Sequence, residues 1–152
     1  MTWKSSDSVM PTSAESTASF AVDTSVAVAF LDAAHSAHDR CVKELSGKRL
    51  ALAGHAAFET FSVLTRMPGS LRVPPSDAFE ALSDAFPEPC WLNAKQQRSL
   101  LERLGTAGMV GGMVYDALVG EAARANGRTL ITRDRRAIAT YDLLGVTYAV
   151  LD

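Results

Sequence analysis

The sequence predicts an α/β domain, a three-layer α/β/α arrangement around a central parallel sheet of short strands. Short apolar runs alternate along the chain with longer stretches of helical periodicity. That alternation is the pattern of a parallel sheet covered by helices on both faces. Acidic residues stand just after two of the apolar runs, where open sheets of this kind bind their ligands.

The elements follow in order. Residues 1–19 are rich in Ser, Thr and Ala and lack periodicity, so they read as a flexible N-terminal tail outside a domain of residues 20–152. Phe20-Ala21-Val22 is a strand closed by Asp23, and Thr24 or Ser25 can cap a helix over 26–33. A helix over 36–45 stops at Gly47, and 49–53 is the next strand. Gly54 breaks the chain into a helix over 55–66, stopped at Pro68-Gly69, and Ser76 can cap a helix over 77–86. Pro89 to Leu92 reads as an edge strand, because proline cannot donate to a central ladder. The helix over 94–104 carries Leu100, Leu101 and Leu104 on one side, and 105–112 is a glycine-rich loop. Small and apolar residues over 117–125 form a packed helix opened by Asp116 and ended by Gly127. Thr129-Leu130-Ile131-Thr132 is a buried strand that delivers Asp134, and a helix over 135–144 and a strand over 146–151 complete the chain.

A chain of 152 residues, 47% hydrophobic, is one domain with a real core. A net charge of −2 excludes coating nucleic acid by bulk charge, so any such contact needs a local basic patch. Cys41 and Cys90 lack metal-ligand spacing and read as buried thiols of a reducing compartment. No apolar run approaches the roughly 20 residues that span a bilayer, and no apolar signal core precedes Phe20. A cytoplasmic location with no membrane partner is expected.

Four acids carry the functional signal. Taken singly each is ordinary: Asp23 and Asp134 suit helix caps, Asp116 suits a helix N-terminus, and Glu59 suits a solvated helix position. Brought to one point they repel, and a hard divalent cation relieves that repulsion. All-oxygen ligation suits Mg²⁺ or Mn²⁺ rather than Zn²⁺. Such an ion takes few carboxylates, keeps waters and binds phosphate oxygens, which is the equipment for hydrolysing a phosphodiester.

The ordered set Val22-Asp23-Thr24-Ser25, Phe58-Glu59 with Leu64 and Arg66, Tyr115-Asp116-Ala117-Leu118 and Thr132-Arg133-Asp134 resembles the motifs of PIN-domain proteins. The likeness is to the VapC toxins of bacterial VapBC toxin–antitoxin systems, and it runs from Phe20 to Asp152. It implies a PIN-like fold and a metal-dependent endoribonuclease silenced by a cognate VapB-like antitoxin, with a tRNA or ribosomal RNA target and a homodimeric state. Carried over by position, Asp23, Glu59, Asp116 and Asp134 are the catalytic, metal-binding acids, and Ser25 and Thr132 support them.

Arg133, Arg135 and Arg136 flank Asp134 and are expected to contact RNA phosphates. His55 shares a helix face with Glu59 and reads as structural or exposed rather than as a ligand. Trp91 reads as packed core; the family resemblance implies that the Pro68–Pro75 segment with its neighbouring helices forms an apolar groove for an antitoxin helix. Two rivals stand beside this reading. One is a non-catalytic PIN-fold module that binds RNA or protein. The other is an aspartate-nucleophile phosphatase, which lacks its second Asp after Asp23. No Gly-x-Gly-x-x-Gly follows the first strand, which disfavours a dinucleotide site.

Overall fold

The structure is a computed structural model and describes residues 19–152. Four strands, β1 (Phe20–Val22), β2 (Leu50–Leu52), β3 (Thr129–Thr132) and β4 (Tyr148–Val150), pair in parallel in the order β2-β1-β3-β4. Every residue of β2 and β4 is buried, as are Ala21 and Val22 of β1 and Leu130, Ile131 and Thr132 of β3. Burial on both faces explains why these strands read as unbroken apolar runs and not as alternation.

Seven helices cover the sheet: α1 (Thr24–Leu31), α2 (His38–Leu45), α3 (Ala56–Arg66), α4 (Pro75–Ala85), α5 (Ala94–Ala107), α6 (Met113–Ala125) and α7 (Ile138–Leu144). Helix α1 packs on α2 and α3, and α3 on α4, while α6 packs on α5 and α7. Strand β3 is touched by α1 and by α6, which makes three layers. Small residues set the spacing. Gly54 follows β2 with φ +50°, and a Cβ there would stand 2.9 Å from the Ala122 Cβ of α6. Gly120 lets the ring of Tyr141 in α7 close on α6 in the same way, at 2.9 Å from where a Cβ would be.

Several boundaries differ from the sequence reading for identifiable reasons. Helix α4 starts on Pro75 at its first turn, with no side-chain cap from Pro74 or Ser76. Proline's preset φ and missing N–H cost nothing at that position. Helix α5 runs through Gly105 to Ala107 and ends on the left-handed Gly108. A capping box between Asn93 and Gln96, together with buried Leu100 and Leu104, offsets the roughly 1 kcal/mol cost of an internal glycine. No strand forms over 89–92. One isolated parallel bridge joins Ala51 to Glu88, and the Cys90 carbonyl accepts from the Gly54 N–H at 2.9 Å. Pro87 and Pro89 remove the donors a longer ladder needs. The expected helix over 135–144 is a 3₁₀ turn (Arg135–Ala137) leading into α7.

The tail reading falls outside the described residues except at Ser19, whose carbonyl accepts from the Thr129 N–H at 3.2 Å. Among the described residues, no helix is long and apolar enough to cross a membrane.

Candidate active site

The parallel register sets the carboxyl ends of β1 and β3 side by side, and the Asp23 N–H donates to the Ile131 carbonyl at 3.3 Å. Asp23 lies at the tip of β1, and Asp134 lies two residues beyond β3. Asp116 is in the first turn of α6, and Glu59 is in the first turn of α3. Four separate elements therefore each supply one acid.

Asp23 is only 4% exposed. It caps α1, accepting at Oδ1 from the Val26 N–H at 3.1 Å and from the Ser25 hydroxyl at 2.6 Å. At Oδ2 it accepts from the Thr132 hydroxyl and, at 3.3 Å, from the Tyr141 hydroxyl. Burial pushes its carboxyl above the usual range against the pull of these donors, and the charge of Asp134 pushes the same way. Neither Thr24 nor Ser25 is the cap. The Thr24 hydroxyl donates to Glu59 Oε2 at 3.1 Å instead, which ties the second acid to the first helix.

Ser25 and Thr132 each join two loops. The Ser25 oxygen accepts from the Arg133 N–H at 2.9 Å while its hydroxyl holds Asp23. The Thr132 oxygen accepts from the Asp134 N–H at 3.0 Å while its hydroxyl holds the other face of Asp23. The two supporting residues thus fix the β1–α1 and β3 loops to one another.

Asp116 is half-buried, and its carboxyl is pushed up to about 6. Burial contributes most, followed by the charges of Asp134, Glu59 and Asp23, while Arg136 opposes them. Only acids that converge in space act on one another in this way. Among the described residues, no lysine or arginine pairs with Asp23, Glu59 or Asp116; Glu59 has His55 Nε2 at 3.4 Å from Oε1.

Such a donor set, all oxygen and short of positive charge, fits a hard divalent cation. No three His, Cys, Asp or Glu side chains among the described residues stand close enough to enclose an ion by themselves.

The three arginines separate. Arg136, 92% exposed, donates from Nε and Nη2 to the two oxygens of Asp134, each at 3.3 Å. Arg135 pairs with Asp152. Arg133 is half-buried, its charge is felt at the Cys41 thiol of α2, and its Nε has no hydrogen-bond partner. Of the three, only Arg136 bonds an acid of the site through its side chain.

Tyr141 went unassigned in the sequence reading, and Thr24 was read as a possible cap and not as a partner of Glu59. Tyr141 carried a usable signal, since a phenol in an otherwise buried helix needs a partner for its hydroxyl. Trp91 departs from its core reading: it is 53% exposed and meets the Phe58 ring edge-on at 5.9 Å. Cys41 and Cys90 are free and buried, as expected.

Comparison with known proteins places the chain in a family. The PIN domain family model matches residues 20–143. Ribonuclease VapC27 of Mycobacterium tuberculosis is 44% identical over 130 residues, covering 86% of this chain and 95% of that protein. Ribonuclease VapC40 of the same organism is 42% identical over 127 residues, covering 83% of this chain and 94% of its own. Among solved structures, the Sarcin-Ricin loop cleaving toxin VapC20 of M. tuberculosis superposes with a TM-score of 0.60 at 20% identity, covering 80% of this chain and 94% of that one. VapBC2 from Rickettsia felis, bound to a DNA fragment from its promoter, gives 0.60 at 16% identity, over 88% of this chain and 98% of that one. At those identities the two structures speak for the fold alone. The chain belongs to the PIN-domain family, and within it to the VapC-like ribonuclease toxins.

Proposed function

We propose that Asp23, Glu59, Asp116 and Asp134 hold Mg²⁺ or Mn²⁺ and that the site cleaves RNA internally by hydrolysis. The observation that carries this reading is Asp116, whose carboxyl is raised by burial and then by each of the other three acids. Such repulsion is unfavourable in an empty site and is relieved by a cation.

A divalent cation in this site would polarise a phosphate oxygen and lower the pKa of a bound water. The chain's own residues supply the geometry. Asp23 is held by four donors from three elements, so its carboxylate has one orientation. Thr132 transmits that orientation to the backbone of Asp134, and Thr24 fixes Glu59. Arg136, exposed beside Asp134, is the side chain placed to meet a substrate phosphate. In the reaction water adds to phosphorus and the bond to the 3′ oxygen breaks. The 3′ oxygen takes up a proton, leaving a 3′-hydroxyl and a 5′-phosphate.

The substrate class we infer is a transfer or ribosomal RNA loop. The partner that silences the enzyme is a VapB-like antitoxin. An apolar cavity of about 560 Å³ between α3 and α4, lined by Phe61, Phe79, Leu82 and Phe86 among others, supports a docked apolar helix. It is formed by the helices flanking the Pro68–Pro75 segment and not by the segment itself. Self-association into a homodimer is carried over from the family resemblance, and light scattering tests it directly. A non-catalytic module is not favoured, because the closely matching relatives are ribonucleases.

The test is cleavage of total cellular RNA with mapping of the 5′ ends, using wild type and Asp116→Asn with Mg²⁺, Mn²⁺ or EDTA. Discrete, metal-dependent ends absent from the variant are expected. No ends from folded, antitoxin-free protein under any metal would overturn the reading.

A further inference from the structure

The acids are bordered by aromatic rings that the fold does not bury. Tyr115, adjacent to Asp116, is 53% exposed, and its ring stacks on His55 at 5.2 Å between centroids with 25° between planes. His55 in turn sits 3.4 Å from Glu59 and tilts toward Phe58, which is 65% exposed, at 6.4 Å. One stacked pair therefore spans the gap between two of the four acids, on α3 and α6. Packing does not account for Tyr115, which turns about half of its surface to solvent, while His55 is half-buried against it.

We infer that Tyr115 and His55 form a stacking platform for a nucleobase of single-stranded RNA next to the scissile phosphate. The inference rests on the ribonuclease reading of the acids. Chemistry favours a base over a protein side chain here. The pair offers a flat π-face with a phenol hydroxyl and imidazole nitrogens at its edge, whereas the cavity between α3 and α4 is lined mainly by apolar side chains, Phe61, Phe79 and Phe86 among them. Every base has a π-face, so stacking of this kind holds unpaired RNA with little sequence preference and leaves register to the phosphate contacts. A platform beside Asp116 and Glu59 also selects an unpaired region, since a base in a duplex has no free face to offer.

The experiment uses the full-length chain and a 12-nucleotide single-stranded RNA of mixed sequence carrying 2-aminopurine, in EDTA so that it is not cut. Anisotropy reads affinity and 2-aminopurine quenching reads stacking. Tyr115→Ala is expected to weaken binding by about 5- to 150-fold and to abolish quenching, while Tyr115→Phe retains both. His55→Ala weakens binding in the same direction. The thermal shift produced by Mn²⁺ stays within error of wild type in Tyr115→Ala, which shows an intact fold and cation site. Unchanged affinity and quenching in Tyr115→Ala would overturn the platform, as would wild type that binds no single-stranded RNA. So would variants that bind RNA normally but lose association between copies, which would make the rings a protein interface. Quenched binding by wild type without any metal-dependent cleavage would sink the ribonuclease reading and leave the platform standing.

Discussion

Asp23 and Glu121 are buried to the same depth, each 4% exposed, and their surroundings are opposite. Glu121, on α6, accepts from Arg103 of α5 at 3.1 Å and from Arg124 on its own helix at 3.0 and 2.6 Å. Its charge is matched by the chain itself, and it fastens two helices together. Asp23 is met by three hydroxyls and one backbone N–H, none of which carries charge. A buried carboxylate without a cation is expensive. The contrast separates an acid whose charge the chain itself matches from one whose charge it leaves unmatched, as the proposed cation site requires, on elements that share one core.

The largest break in this contrast is Asp116→Asn. Changing groups that only orient a metal ligand commonly costs about 10- to 100-fold, so loss of an acid of the site itself should cost at least about 100-fold in RNA cleavage. Folding should not suffer: Asn removes a repelled charge at nearly constant volume, and the metal-free melting temperature should hold or rise. A fall in melting temperature large enough to explain the lost activity would make Asp116 structural, like Glu121.

Glu121→Gln should do the reverse. It should cost stability of about 1.5–3 kcal/mol, since the hydrogen bonds to two charged groups are weakened. The cost belongs toward the lower end, because Arg103 and Arg124 are 38% and 44% exposed in their side chains and can turn to water. Cleavage per folded molecule should match wild type. Urea denaturation paired with an activity assay checks both, and lost activity in fully folded Glu121→Gln would erase the distinction.

Ser25→Ala is a smaller perturbation. It removes one donor from Asp23 and the acceptor for the Arg133 N–H, so about a 10-fold loss of cleavage is expected, with a weaker Mn²⁺ dissociation constant by calorimetry. Unchanged metal affinity would show that the Val26, Thr132 and Tyr141 donors suffice to orient Asp23.

How much of this was legible in the sequence divides along the same line. The positions of the acids on their elements were readable because the apolar runs end just before Asp23 and two residues before Asp134, although each acid is ordinary alone and only the ordered set of four carried the signal. Parallel pairing was readable from the unbroken apolar character of β1, β2 and β3. What was not readable depends on long-range placement. Nothing local shows that the Tyr141 hydroxyl reaches back to Asp23, or that the Arg133 side chain sits near Cys41 while that of Arg136 meets Asp134. Trp91 looked like core because its neighbours Cys90 and Leu92 are apolar. The prolines around it prevent the strand that would have buried it, and its ring lies at the surface.

The smallest effect is one of pH, and it tests whether the acids wait for a cation. Asp116 has its carboxyl at about 6 in the folded chain against an ordinary value of 3.8, and Asp23 is shifted in the same direction. Folded protein therefore binds protons more tightly than unfolded protein, and the stability this contributes is present at pH 4 and is lost as pH rises through about 6. In EDTA, this cluster should make the melting temperature decline from pH 5 toward pH 7.5. Millimolar Mn²⁺ or Mg²⁺ should reverse the decline at pH 7.5, by binding the folded state, and should do little at pH 5, where the proton competes for the same oxygens. Asp116→Asn should flatten both responses, whereas Glu121→Gln should lower the whole curve and leave its shape alone. A shift with metal that is equal at both pH values, or that survives Asp116→Asn, would place the cation elsewhere on the molecule.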